Sequence, residues 1–113
     1  MSPEVVRGER VTEKCDIWAV GCTVWEMLKG KRPWSGLGRE AALYNIGRNQ
    51  HPPLTHFPQF FSNDGRDFLQ FCFTIEPENR PSASMLLKHR WFKNNEGEDG
   101  RASSSSLDIM LNK

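Results

Sequence analysis

Three thiols, three imidazoles and one glycine-spaced loop are the groups of this 113-residue chain that could hold a metal, attack an electrophile or cradle a phosphate. Cys15, Cys22 and Cys72 are odd in number and widely spaced, and no pair has the separation of a zinc ligand set or a redox dithiol. The expectation is three reduced, mostly buried thiols. His51, His56 and His89 have no His or Cys companion at ligand spacing, so no metal site and no metal cofactor is expected. Gly36-Leu-Gly38-Arg-Glu-Ala41 satisfies a relaxed dinucleotide fingerprint. That motif works only between a buried strand and a helix, where backbone amides meet a pyrophosphate. Here it follows Pro33-Trp34-Ser35 with no strand pattern before it, and a plain loop accounts for it.

Composition narrows the classes further. Hydrophobic residues make up 37% and charged residues 26% of the chain, which fits a soluble globular domain near the size where one core is barely adequate. The formal charge of +1 gives no electrostatic case for nucleic acid or a membrane surface. The basic spots (Lys29, Lys31 and Arg32; Lys88, Arg90 and Lys93) read as charges at helix C-termini, where they complement the macrodipole. No apolar run reaches transmembrane length and no signal-like leader opens the chain, so a cytoplasmic protein is expected.

The elements follow from apolar spacing and capping residues. Cys15 to Leu28 is apolar nearly all round, with Ile17, Val20, Val24 and Leu28 on one face and Trp18, Cys22 and Trp25 widening it. Thr12 is placed to cap this helix, Gly30 to close it and Pro33 to forbid its continuation. A second helix spans Arg39 to Arg48 with Ala42, Leu43 and Ile46 inward. HPPLTHFPQF is a proline-broken loop pinned by Phe57, Phe60 and Phe61. Ser62 caps a third helix facing inward with Phe68, Leu69, Cys72 and Ile75. Ser82 caps a fourth bearing Ala83, Leu86 and Leu87 and finishing at Trp91 and Phe92. Beyond Lys93, NNEGEDGRASSSS can bury nothing, so 94–113 is expected to be a disordered polar tail, with Ser103 to Ser106 as phosphorylation candidates. No strand pattern appears, and the fold class is all-α.

In order, MSPEVV, DIWAVGCTVWEML, KRPW, GRDFLQFCF and ENRPSASMLLKHRWF resemble the C-terminal half of the large helical lobe of a protein kinase, over 1–93. Their wording is most similar to serine/threonine kinases of the MAP kinase kinase kinase group. The positions carrying the motifs are Pro3, Glu4, Asp16, Trp18, Gly21 and Arg80. The resemblance implies that Glu4 closes the activation segment and pairs with Arg80. It implies also that Asp16 reaches the backbone of a catalytic loop, and that Cys15 to Leu28 is the lobe's central buried helix with Trp34 packed near it.

What the resemblance implies about function is divided. The intact family transfers the γ-phosphate of ATP, with magnesium, to Ser or Thr of protein substrates, here in MAP kinase signalling. That chemistry needs a Gly-rich loop over the phosphates, a strand Lys, an HRD loop with its Asn and a DFG Asp. None of these motifs occurs in the 113 residues, so no catalytic or cofactor-binding residue is assigned, and the chain alone is expected to be inactive. A gene truncated at an internal Met, a fragment and a short isoform all fit a chain opening on Met-Ser-Pro-Glu. With its covering helices absent, the central helix is expected to expose an apolar patch, and the monomer to be loosely packed or to aggregate unless a partner rescues it. The alternative function is a non-catalytic docking module for a protein partner, a downstream substrate or a regulator, using Arg39, Glu40 and Tyr44 on a surface that kinases often use for docking.

Overall fold

A computed structural model describes residues 1–48 and 50–93. The expected polar tail, with Ser103 to Ser106, lies outside them. Six helices run in chain order: α1 (Pro3–Val6), α2 (Lys14–Lys29), α3 (Arg39–Gly47), α4 (Asn63–Cys72), α5 (Ala83–Leu86) and α6 (Arg90–Lys93). Among the described residues there is no strand, so the fold is the all-α arrangement expected of this part of a kinase lobe.

Local chemistry sets the helix ends. At the end of α2, Gly30 adopts φ 71°, a left-handed conformation that costs glycine nothing, and donates to Glu26 O at 2.8 Å. The start of α2 differs from expectation. Glu13 holds the cap position without a side-chain bond, and Thr12 Oγ1 accepts from the Lys14 amide at 3.3 Å, one residue earlier than a cap should sit. Ser62 and Ser82 cap as expected, accepting from the amides of Gly65 (3.1 Å) and Met85 (3.3 Å).

α2 and α4 form the centre. Ile17, Trp18, Val20, Val24 and Trp25 pack with Phe68, Leu69, Cys72 and Phe73, and with Phe61, Leu86 and Phe92 from the flanking segments. Gly21 makes this approach feasible. A Cβ there would lie 2.7 Å from Cys72 Cβ and 2.9 Å from Phe73 Cε1, closer than carbon atoms can pack. Around Phe68 the rings of Trp91 and Phe92 sit at centroid distances of 5.0 and 5.5 Å, extending the cluster to α6.

Four expectations need correction. The central helix does keep a stripe for water: Asp16, Ala19, Thr23 and Met27 are exposed at helical spacing, a mixed set in which Ala19 and Met27 count as apolar although they face solvent. The predicted fourth helix is two short ones, because the turn at Leu87–His89 breaks it and leaves Leu87 exposed. Phe60 is 81% exposed rather than a pin, since the turn Pro58–Phe61 directs only Phe57 and Phe61 inward. Finally, Lys88 and Arg90 do not end a helix. Arg90 opens α6 and sits 3.6 Å from Asp64 and 3.8 Å from Asp67.

Candidate functional site

The best-defined polar cluster joins the two ends of the described chain. Arg80, in the turn after α4, meets Glu4, in α1, through two parallel bonds: Nη1 donates to Oε2 at 2.9 Å and Nη2 to Oε1 at 3.1 Å. The side chains are 0% and 1% exposed. Burying a charge pair is favourable only if the remaining donors find partners, and here every guanidinium N–H does. Nε donates to Thr74 O (2.9 Å), Nη1 also to Lys14 O (2.7 Å) and Nη2 also to Ile75 O (3.2 Å). The Trp18 ring lies 5.2 Å from the guanidinium carbon, and Lys14 Nζ donates back to Arg80 O at 2.6 Å and Pro77 O at 3.3 Å.

Electrostatics at Glu4 have a definite sign. Burial alone would raise its pKa, but the hydrogen bonds from Arg80 and the positive charge beside them outweigh burial and hold it below its ordinary 4.5. The carboxylate is therefore ionised at neutral pH, and the clasp is a true ion pair. α1 supplies it from a fixed place: Pro3, at the first helical position, and Glu4 are both buried, and Glu4 O accepts from the Glu9 amide at 2.9 Å.

The other motif positions fall around this clasp. Trp18 is 1% exposed and meets Phe73 edge-on at 5.1 Å, so it is core rather than a ligand platform. Gly21 faces α4. Asp16, in the first turn of α2, is exposed and accepts weakly from the Cys15 thiol at 3.8 Å. The thiols are poor nucleophiles. Burial, then the charges of Asp16 and Glu4, push Cys15 up, while burial chiefly pushes Cys22 to about 11 and Cys72 to about 12. Among the described residues no three His, Cys, Asp or Glu side chains are placed to bind a metal ion, and no helix is long and apolar enough to cross a membrane. Gly36 lies in the turn before α3 and Gly38 at the helix's N-cap, without the strand a dinucleotide site needs.

Arg39, Glu40 and Tyr44 are all exposed on α3, Tyr44 under the guanidinium of Arg48 at 5.3 Å. The opposite face anchors the helix through buried Ile46 and half-buried Ala42 and Leu43. These three are thus a surface separate from the clasp. Trp34 is half-buried beside α2, as expected, and walls two clefts with Trp18 and Trp25. Sequence reasoning missed one pair. His89 Nδ1 accepts from the Trp91 amide at 3.0 Å, so Nε2 carries the proton and donates to Asp67 Oδ2 at 2.8 Å, tying α4 to α6. Nothing in residue type or spacing signals it.

Comparison with known proteins points in one direction. A family model described as protein kinase domain matches residues 1–92. Mitogen-activated protein kinase kinase kinase 5 of Arabidopsis thaliana is 48% identical over 79 residues, covering 70% of this chain and 10% of that protein. Mitogen-activated protein kinase kinase kinase ANP1 of the same plant is 42% identical over 114 residues, covering 99% of this chain and 16% of its own length. Cytokinesis protein sepH of Aspergillus terreus is 42% identical over 108 residues, covering 96% of this chain and 8% of its own. The chain thus spans 16% or less of each of these relatives.

Proposed function

Because this chain belongs to the protein kinase domain family, to the part of the serine/threonine kinase lobe shared with MAP kinase kinase kinases, we propose that it acts as the anchoring portion of such a kinase and is catalytically silent by itself. In the intact molecule it supports transfer of the γ-phosphate of ATP to Ser or Thr of a protein substrate in MAP kinase signalling. Its own contribution is mechanical. The Glu4–Arg80 clasp, with five guanidinium donors satisfied, fixes the segment that enters at α1 against the α2–α4 core, and catalysis by positioning depends on such fixed supports. ATP and magnesium are held by motifs this sequence does not contain. No step through either is assigned to its residues.

The experiment is a chimera in which this chain replaces the matching segment of the ANP1 kinase domain. The expected result is phosphate transfer by the chimera, none by the chain alone, and a loss of transfer in the chimera carrying Glu4→Gln. A folded but inactive chimera, or transfer by the chain alone, overturns the reading. A second reading, a docking module for a protein partner, is favoured by one observation: Arg39, Glu40 and Tyr44 all face solvent on a helix anchored by its other side. Substitution of all three leaving every captured partner bound would dispose of it.

A further inference from the structure

A cleft of about 520 Å³ opens between the end of α2, the loop at 31–36 and the turn at 53–56. That size falls within the range of about 300–1,000 Å³ typical of ligand clefts. Its walls include Trp25, Lys29, Lys31, Arg32, Trp34 and His56, three cations with no acidic side chain among the lining residues. The floor is rigidly held. Trp25 Nε1 donates to Pro53 O at 2.7 Å, and Lys29 Nζ donates to the carbonyls of Thr55 and His56 while lying 4.7 Å from the Phe57 ring centroid.

Among the described residues only two non-glycine residues have positive φ, Trp34 (64°) and His56 (60°), and both line this cleft. Side chains larger than hydrogen rarely adopt that conformation, and strain of this kind concentrates at functional sites. Lys31 and Arg32 are exposed, so their charges are not consumed by the core.

We propose that this cleft binds an acidic peptide segment of a partner protein, its carboxylates meeting Lys29, Lys31 and Arg32 and its apolar atoms lying on the half-buried Trp34. Charge complementarity selects the occupant. Two of the three cations are lysines, separate point charges that suit a run of carboxylates. Planar Arg, the fork that grips a single phosphate in bidentate fashion, supplies only one of the three. The net charge of +1 lacks the extended basic surface that nucleic acid requires. This site is distinct from the exposed residues of α3 and makes no use of kinase activity, so it stands or falls separately from the proposed function.

The test is fluorescence anisotropy of a fluorescein-labelled peptide bearing a run of glutamates, titrated with the full 113-residue chain, beside the same peptide with glutamines. The glutamate peptide is expected to bind, the glutamine peptide not, and binding is expected to weaken as salt rises to about 0.5 M. The double variant Lys31→Glu, Arg32→Glu is expected to weaken it about tenfold with an unchanged circular dichroism spectrum, because both side chains are exposed. Lys88→Glu, an exposed charge elsewhere, is expected to leave binding intact. Absence of binding, equal binding of the glutamine peptide, or an equal loss in Lys88→Glu overturns the proposal. So does displacement by a phosphoserine peptide or an oligonucleotide at about a tenth of the concentration needed of the glutamate peptide.

Discussion

At the scale of single residues, the clasp is where charge, burial and geometry agree. Arg80 is buried with all its donors occupied, so removing its partner strands a cation in the core, at a typical cost of about 3–5 kcal/mol. Glu4→Gln is expected to lower the unfolding free energy by that order, read from the urea midpoint. pH gives an independent check with a fixed sign. The Glu4 pKa is lowered in the folded state, so the stability it contributes is complete above the ordinary value of 4.5 and is lost as pH falls through the lower folded value. The parent chain should therefore show an acid-side decline below pH 4.5 that the Glu4→Gln variant lacks in part. An unchanged acid limb would mean that Glu4 is not the group titrating. The sequence alone offered two charges 76 positions apart, and only the resemblance to a kinase lobe suggested joining them. The carbonyl partners from Lys14, Thr74 and Ile75 were not legible at all, because a backbone acceptor carries no residue-type signal.

At the scale of elements, legibility tracked capping and length. α2 and α4 were readable because apolar spacing persists over several turns between a closing Gly30 or an opening Ser62. α1 and α6, four residues each, are too short to show a period, and tertiary contacts rather than propensity hold them. The seam between α2 and α4 was hidden for another reason: a glycine inside a helix looks like a defect until the neighbour is known. Its role can be tested against a second glycine. Ala is favoured over Gly in a helix by about 1 kcal/mol. At Gly21 a methyl would meet Cys72 and Phe73 at 2.7 and 2.9 Å, inside a buried seam that cannot yield cheaply. At Gly47 it would meet only Val6 Cγ1 at 3.5 Å, an ordinary contact. Gly21→Ala is expected to destabilise by about 1–3 kcal/mol through overpacking, and Gly47→Ala to be neutral or stabilising by up to about 1 kcal/mol. Thermal melts of the two variants decide it. Similar shifts in both would mean that the seam relaxes.

At the scale of the whole molecule, the order is uneven. The hydrophobic cluster draws on α2, α4, α5 and α6 and includes the rings at positions 18, 25, 61, 68, 73 and 92. α3 contributes only Ile46 to the buried residues and rests on α1 rather than on that cluster. Opening free energies follow buried apolar contact, so α3 should detach before the centre unfolds. Native-state hydrogen exchange is expected to show weak protection over Arg39–Gly47 and the strongest protection in α4, where Phe68, Leu69 and Cys72 are fully buried. The thiols report the same gradient by different chemistry. A thiolate must form and be reached before it is alkylated. Cys15 is half-buried at the start of α2, Cys22 is half-buried with its thiol pushed to about 11, and Cys72 is fully buried with its thiol at about 12. Alkylation by iodoacetamide should thus proceed in the order Cys15, Cys22, Cys72, with Cys72 reacting at the rate of global unfolding. The expectation of a loosely packed or aggregating monomer is read by the same two measurements. If Cys72 were alkylated as fast as Cys15 and α4 exchanged as fast as α3, the centre would be as open as the edge. The Glu4–Arg80 clasp would then have no rigid body to close on.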